Sequence, residues 1–357
     1  MYKMMTPGPS QVRENVMQAR SREFQNPDLD SDFVEYYHDT CILYSNLLHT
    51  KNESLILGGE GILGLEAACA SLTEPNDRVL VLDNGVFGEG FKDFVSLYGG
   101  TPVLYTKDYE HPLDPDELKQ YLDRDHDFKY ATLIHCDTPS GMKNDISRLC
   151  PLLKSYGILT VVDSVAGMFG EEVRVDDWKI DLLCGGSQKA LSAPPGLTMV
   201  TISADAKEAM EHRKTPIASF YANLMTFQGY YEAKWFPYTM PVSDIYGLRT
   251  ALENVKNDPD ILERHAQVAA YTRETLLHMG LTLYPSDGYA NTVTAFRIPE
   301  GHTAKEILTT LREDYQILLA GSFGCFSDQL IRIGHMGENA YLEKVQEVLD
   351  ALKEILK

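Results

Sequence analysis

Between about residues 55 and 203 the sequence alternates short β-branched runs with amphipathic segments, and this alternation constrains the fold more than any other feature. Strands separated by helix-length segments are typical of a mostly parallel sheet with helices on both faces. The sequence therefore predicts an α/β fold for this region. The predicted strands are Arg78–Leu82, Thr101–Thr106, Ala131–His135, Ile158–Asp163, Asp181–Cys184 and Leu197–Ile202, and the predicted helices are Ile62–Ser71, Gly88–Leu97, Asp116–Leu122 and Ile146–Tyr156.

The C-terminal part of the chain follows a different pattern. A helix that stops at Gly280, a capping box at Thr303–Glu306 and a strand at Leu330–Gly334 precede an amphipathic terminal helix. Such a mixture is typical of a small α+β unit. We therefore predict an N-terminal arm and large domain over residues 1–255, and a small domain over residues 256–357.

Charge and apolar patterning exclude several classes of protein. The 357 residues include 32 basic and 52 acidic side chains, a net charge of −20, whereas a nucleic-acid binder needs a basic face. The apolar runs are shorter than the roughly 20 residues of a membrane helix, and the N-terminus lacks the apolar core of a secretion signal. We expect a cytoplasmic protein without nucleic-acid or membrane partners. The six cysteines form no CxxC pair, so we expect reduced thiols and no metal.

Lys189 is the first candidate for chemistry. It follows a predicted strand and the Gly185-Gly186 pair, at the sheet edge where α/β proteins bind ligands. Desolvation there lowers the pKa of an amine, and a neutral lysine is the nucleophile that forms a Schiff base. A lysine in a loop can equally be a surface side chain, so its neighbours decide between the two interpretations.

Asp163 ends another apolar strand. A buried carboxylate is costly unless a cation pairs with it. Opposite a pyridine nitrogen it would keep that nitrogen protonated and make the ring an electron sink. The alternative is that Asp163 caps the next helix.

A glycine turn, residues 58–61 (Gly-Gly-Glu-Gly), precedes the first predicted helix. Glycine-rich turns that enter a helix present backbone N–H groups to phosphate. A tight turn between two elements also favours glycine, so this motif alone does not distinguish a phosphate-binding turn from a structural one.

Taken together, the motifs resemble the class-V, fold-type I pyridoxal-phosphate (PLP) aminotransferases, in the alanine–glyoxylate and serine–pyruvate branch. The resemblance covers nearly the whole chain, and it implies a large domain with a mostly parallel central sheet flanked by helices, a smaller C-terminal α+β domain, and a homodimer with shared active sites. The motifs that carry it are Thr6-Pro7-Gly8-Pro9, the glycine turn, Asn84–Gly88, His135–Gly141, Asp163–Ala166, Ser187-Gln188-Lys189, Thr239–Val242 and Arg332–Gly337.

The resemblance also implies a role for each matching residue. Lys189 forms the internal aldimine and carries the proton between Cα and C4′, while Asp163 pairs with the pyridinium nitrogen. Arg332 binds the substrate α-carboxylate by a two-pronged contact. The remaining cofactor contacts are Phe87 and Val165 on the two ring faces, Thr138 near the ring hydroxyl, the Gly61 and Ile62 N–H groups with the Gln188 side chain at the phosphate, and Thr239 at the phosphate of the neighbouring subunit.

Two positions depart from the family pattern. Glu60 stands where relatives usually have serine, and since an anionic side chain would repel phosphate, we expect it to point away and leave the backbone N–H groups available. Phe236 stands where a tyrosine often touches the phosphate, and Tyr238 is a possible substitute. Both changes leave the cofactor affinity open.

By resemblance, the reaction is a ping-pong transfer of an amino group from alanine or serine to glyoxylate or pyruvate. A 2-aminoethylphosphonate–pyruvate transaminase is the alternative. A cysteine desulfurase would need a mobile cysteine and an imidazole over the ring, but Cys325 lies only seven residues before Arg332 and Phe87 takes the stacking position. A non-catalytic scaffold is the remaining alternative.

Overall fold

The computed structural model describes residues 2–23 and 25–357. The α-helices are α1 Glu14–Ala19, α2 Ser31–Leu47, α3 Gly61–Leu72, α4 Val86–Leu97, α5 Pro115–Leu122, α6 Ile146–Ser155, α7 Ala204–Glu211, α8 Tyr230–Ala233, α9 Val242–Lys256, α10 Ile261–His278, α11 Ala304–Asp314 and α12 Leu342–Ile355. The strands are β1 Lys3–Met4, β2 Glu53–Gly58, β3 Arg78–Asp83, β4 Thr101–Thr106, β5 Tyr130–Ile134, β6 Cys136–Asp137, β7 Met142–Lys143, β8 Leu159–Asp163, β9 Leu182–Gly186, β10 Leu197–Ile202, β11 Leu283–Tyr284, β12 Val293–Arg297, β13 Ile317–Leu318, β14 Ala320–Gly321 and β15 Leu330–Gly334.

The central sheet confirms the predicted α/β architecture. It has seven strands in the order β2-β10-β9-β8-β5-β3-β4. Strands β4, β3, β5, β8 and β9 are parallel neighbours, and β10 runs antiparallel to both β9 and β2. All the strands of the sheet except β10 therefore end at the same edge. The large hydrophobic core lies along this sheet, with fully buried side chains such as Val81, Leu133 and Val162.

Several connections are set by local hydrogen bonds that the sequence makes possible. Asp114 accepts from the Asp116 and Glu117 N–H groups and Pro115 stands at the first helical position, so α5 begins there. The predicted capping box at Thr303 and Glu306 is present at the start of α11. These caps fix where each helix leaves its preceding loop.

The C-terminal part forms a second sheet and a second core. Its strands follow the antiparallel order β11-β12-β15-β14, and α10, α11 and α12 contribute buried side chains such as Val268, Ile307 and Val348. The N-terminal strand β1 pairs in parallel with β13, and Met5 belongs to this small core. The division of the chain into residues 1–255 and 256–357 stays a prediction.

The elements that were not predicted from the sequence include α2, β2 and α9. The sequence also did not show that β10 is antiparallel to its neighbours. None of the helices within residues 2–23 and 25–357 combines the length and the apolar character needed to cross a bilayer.

Candidate active site

A cavity of about 300 Å³ lies at the edge where the parallel strands end. The loops after β2, β3, β5, β8 and β9 all contribute to its wall. Its charged lining residues are Glu60, Asp163 and Lys189, and Phe87 and Val165 give it an apolar middle. The candidate residues that follow different strands therefore lie together at this edge of the sheet. A larger open hollow of about 1000 Å³ near His111 and Arg148 contains none of the predicted site residues.

The Lys189 amine is held by the N-terminal arm. Its Nζ donates a hydrogen bond of 2.6 Å to the carbonyl of Pro7, and Gly8 and Pro9 line the same cavity. Burial lowers the pKa of Lys189 to about 8, and the charge of Arg332 acts in the same direction. A larger fraction of this amine than of an ordinary lysine is therefore neutral, and nucleophilic, near neutral pH.

Gly8 is required where the arm passes Lys189. Its φ is +133°, and a Cβ at this position would overlap Lys189 Nζ. A side chain at residue 8 would therefore push either the arm or the lysine away. The Thr6-Pro7-Gly8-Pro9 motif thus brings a backbone carbonyl directly to the candidate nucleophile.

Asp163 lies at the end of β8 and is only 6% exposed. One carboxylate oxygen accepts a 2.9 Å hydrogen bond from the Val165 N–H. Burial nevertheless raises the pKa of Asp163 to about 7, and no ion pair with it occurs among the described residues. A cation placed against this carboxylate would restore its charged form.

The apolar side chains predicted to cover a ring lie in this cavity. Phe87, at the start of α4, makes an edge contact with Phe323 at a centroid distance of 5.7 Å. Val165 and Thr138 also line the cavity. A Cβ on Gly61 would come within 2.7 Å of the Val165 side chain, so glycine is needed for the helix to approach this wall.

Glu60 does not point away from the turn, so that prediction is wrong. One carboxylate oxygen accepts from the Ile62 N–H at 3.2 Å, and the other accepts from Gln188 Nε2 at 3.1 Å. The N-terminus of α3 carries partial positive charge and unpaired N–H groups, which attract the nearest carboxylate. Glu60 therefore occupies two of the donors that were assigned to a phosphate.

Arg332 lies on β15, is 7% exposed and is not among the residues that line the cavity. Its Nε and Nη2 donate to the carbonyl of Gly321, and its Nη1 donates to the carbonyl of Thr138. Burial lowers the pKa of this guanidinium to about 10. Three of its five N–H groups thus hold the guanidinium in place. Its positive charge contributes to the lowered pKa of Lys189.

Thr239 and Phe236 lie away from the cavity of their own chain. Thr239 is exposed and its hydroxyl donates to Asp28 at 3.1 Å. Phe236 is buried in an aromatic cluster with Phe33 and Tyr37. The Tyr238 ring stacks on Tyr221, so neither aromatic residue reaches this chain's glycine turn.

Sequence reasoning missed Asp137. It ends β6, shortly after β5, as Asp163 ends β8, and it is buried with a pKa that burial raises. One oxygen accepts from the Ser140 N–H and hydroxyl, whereas the other has no partner among the described residues. The strand-end position was the signal that could have identified it. Within the same part of the chain, no cluster of three potential metal-binding side chains occurs.

Comparison with known proteins decides the family. The family model for class-V aminotransferases matches residues 31–331. The chain belongs to the class-V aminotransferases. It is therefore a PLP-dependent transaminase of fold type I, an enzyme that moves an amino group between an amino acid and a 2-oxo acid.

Three relatives illustrate the range of this class. The pyridoxamine–pyruvate transaminase of Mesorhizobium japonicum is 33% identical over 94% of this chain and 86% of its own. The alanine–glyoxylate aminotransferase of Callithrix jacchus is 30% identical over 99% and 87%. The crystal structure of a ureidoglycine–glyoxylate aminotransferase from Bacillus subtilis superposes with a TM-score of 0.96 at 29% identity, over 100% of this chain and 93% of that one.

The residues of the cavity fit the ring and the aldehyde of PLP better than they fit its phosphate group. The uncompensated carboxylate of Asp163 suits a pyridinium nitrogen, the amine of Lys189 suits the aldehyde, and Phe87 suits the ring. At the phosphate end, Glu60 already occupies the Ile62 N–H and the Gln188 amide. The ring and aldehyde therefore fit this arrangement, and the phosphate fits only if Glu60 moves.

Proposed function

We propose that this class-V aminotransferase transfers the amino group of a small amino acid, alanine or serine, to glyoxylate or pyruvate by a ping-pong mechanism. The observation that carries the proposal is that the Lys189 amine and the Asp163 carboxylate line one cavity, and that the Arg332 guanidinium is close enough to lower the pKa of Lys189. The alanine–glyoxylate relative supports the choice of substrates.

Lys189 and Asp163 are the proposed catalytic residues. Bound PLP supplies an electron sink for the carbanion at the substrate Cα. Lys189 would hold the cofactor aldehyde through its neutral amine and would move the proton at the substrate Cα, and a pKa of about 8 suits both tasks. Asp163 holds the proton on the ring nitrogen, because the buried carboxylate is stable as an anion only beside a cation.

The other side chains hold and orient the cofactor. Phe87 and Val165 cover the two ring faces, and Thr138 lies near the ring hydroxyl. The Gly61 N–H group would bind at the phosphate end, together with the Ile62 N–H and the Gln188 amide once Glu60 releases these two.

We further propose a homodimer in which Thr239 binds the phosphate of the other subunit. The exposure of Thr239 outside its own cavity supports this assignment. The exposed aromatic residues Phe220, Tyr221 and Trp235 on the same segment support an interface there. The cytoplasmic location expected from the sequence stays a prediction.

Arg332 binds the carboxylate that amino acid and 2-oxo acid share. Its carbonyl contacts with Gly321 and Thr138 fix the guanidinium plane before substrate arrives. A fixed planar donor pair matches a carboxylate with two hydrogen bonds. The cavity of about 300 Å³ also has to hold the cofactor ring, which favours a short substrate side chain.

The alternatives receive less support. The relatives do not favour 2-aminoethylphosphonate–pyruvate transaminase, whose donor has no α-carboxylate for Arg332. Cys325, the nucleophile that a cysteine desulfurase would need, is exposed and does not line the cavity. A non-catalytic scaffold would not require the Lys189 and Asp163 arrangement.

A panel of amino donors tests the proposal. Each donor is mixed with the PLP-loaded protein, and the conversion of the aldehyde form into the pyridoxamine form is followed by absorbance. We expect alanine or serine to convert the cofactor faster than larger or acidic donors. Faster conversion by a bulky donor would contradict the substrate assignment.

A further inference from the structure

The side chain of Glu60 already performs, within the protein, the role expected of a bound phosphate. Its carboxylate caps the first turn of α3 through the Ile62 N–H and accepts from Gln188 Nε2. These are a helix N-terminal donor and a side-chain amide, both of which bind anions well. The phosphate end of the cavity therefore contains its own anion.

The charges around the cavity disfavour a second anion. Of its three charged lining residues, Glu60 and Asp163 are acidic and Lys189 is basic. A phosphate ester at neutral pH carries close to two negative charges. It would have to displace Glu60 or accept a like charge in contact with it, and no lining arginine or second lysine offsets that repulsion.

The hydrogen-bonding groups at the phosphate end of the cavity also favour a hydroxyl over a phosphate. Both Glu60 oxygens are acceptors, and Gln188 Oε1 is buried without a partner among the described residues. A hydroxyl can donate to such acceptors, whereas a phosphate dianion has no proton to give. Pyridoxal and pyridoxamine carry a hydroxymethyl group at the position where PLP carries its phosphate ester.

We propose that this cavity binds the unphosphorylated ring, pyridoxal or pyridoxamine, about as well as PLP, with Glu60 and Gln188 contacting the hydroxymethyl group. Glu60 is then the residue that sets the selectivity between phosphorylated and unphosphorylated forms. The ring is held by Asp163, Phe87 and Lys189 rather than by its phosphate, so it can exchange with the solution. The inference rests on the proposed function, because it uses the same ring site.

Titration of the cofactor-free protein tests this directly. The dissociation constants of pyridoxal and PLP are measured by absorbance for the wild type and Glu60→Ser, and their ratio, pyridoxal over PLP, is compared. Serine can still cap α3 without the charge, so the fold is retained. Glu306→Gln is the matched control, because it neutralises another helix-capping carboxylate far from the cavity, in the small domain.

The expected ratio is below about 10 in the wild type and in Glu306→Gln, and it rises at least about tenfold in Glu60→Ser as PLP binding strengthens. A wild-type ratio above about 10, or a smaller rise in Glu60→Ser, overturns the inference and leaves the proposed function intact. Failure of both ligands to bind, with no label on Lys189 after borohydride reduction, overturns the proposed function as well.

Discussion

The cavity has a ring end at Asp163 and Lys189 and a phosphate end at Glu60 and Gln188. The two ends differ in whether their charged groups already have partners within the protein. At the ring end, Asp163 has no cationic partner among the described residues, and Lys189 is held by a single carbonyl of the arm. At the phosphate end, Glu60 accepts hydrogen bonds from both the Ile62 N–H and Gln188 Nε2. One end is thus prepared for a ligand, whereas the other already contains its own anion. We therefore expect the ring end to carry the chemistry.

The largest effect is expected at the ring end, from Lys189→Ala. This change removes the nucleophile and the group that moves the proton, so turnover should fall at least about a thousandfold. Steady-state transamination and the visible absorption of the loaded protein measure it. Lys119→Ala, at an exposed lysine on α5, is the control and should retain both signals. An unchanged absorption in Lys189→Ala would contradict the role given to this lysine.

Asp163→Asn should lower turnover about a hundredfold or more, because an amide cannot hold the proton on the ring nitrogen. Its thermal stability should be retained, since asparagine avoids burying a carboxylate whose pKa burial has raised. Asp181→Asn is the comparison, because Asp181 is also buried but pairs with Lys154. There we expect lower stability with turnover retained. The reverse pattern would show that Asp163 is only structural.

Arg332→Lys should raise the KM for both carboxylate substrates about ten- to a hundredfold, since lysine keeps the charge but loses the two-pronged contact. This variant is preferred to Arg332→Ala, which would leave the carbonyls of Gly321 and Thr138 without donors. The KM and kcat of donor and acceptor are measured separately. Arg249→Lys, at a half-buried surface ion pair, serves as control. Equal KM values in the wild type, Arg332→Lys and Arg249→Lys would show that Arg332 does not bind the substrate carboxylate.

The smallest effect is expected from Gly8→Ala. A methyl group there overlaps Lys189 Nζ, and we expect the rate of covalent labelling of Lys189 to fall several-fold, up to about tenfold. Gly157→Ala is the matched control, because Gly157 also has a positive φ but has no atom within 4 Å of an added Cβ. Both variants place an alanine at a positive φ, which strains the backbone. Equal labelling rates would show that the arm does not position the lysine.

The sequence predicted the ring end well because topology alone places it. Asp163 ends one strand of the parallel part of the sheet and Lys189 follows another, and parallel strands end at one edge. Strand spacing and apolar runs located these two residues, whereas Thr138 was assigned only by the family resemblance. The bounds of β4, β10 and β15 agree with the prediction for the same reason.

The phosphate end could not be predicted in the same way. The direction of Glu60 depends on a side-chain rotamer and on Gln188, which is 128 residues away in sequence. Similar long-range contacts explain the missed α9, whose interior Gly247 accommodates Arg20, and the pairing of β1 with β13. Local pattern carries no information about such partners.

Borohydride reduction followed by peptide mapping tests the central claim most directly. The protein is incubated with PLP or pyridoxal, reduced, digested, and the modified lysine is identified by mass spectrometry. We expect the label on Lys189, whose pKa near 8 and contact with the Pro7 carbonyl distinguish it. A label on any other lysine, or on none, would contradict the account of this site.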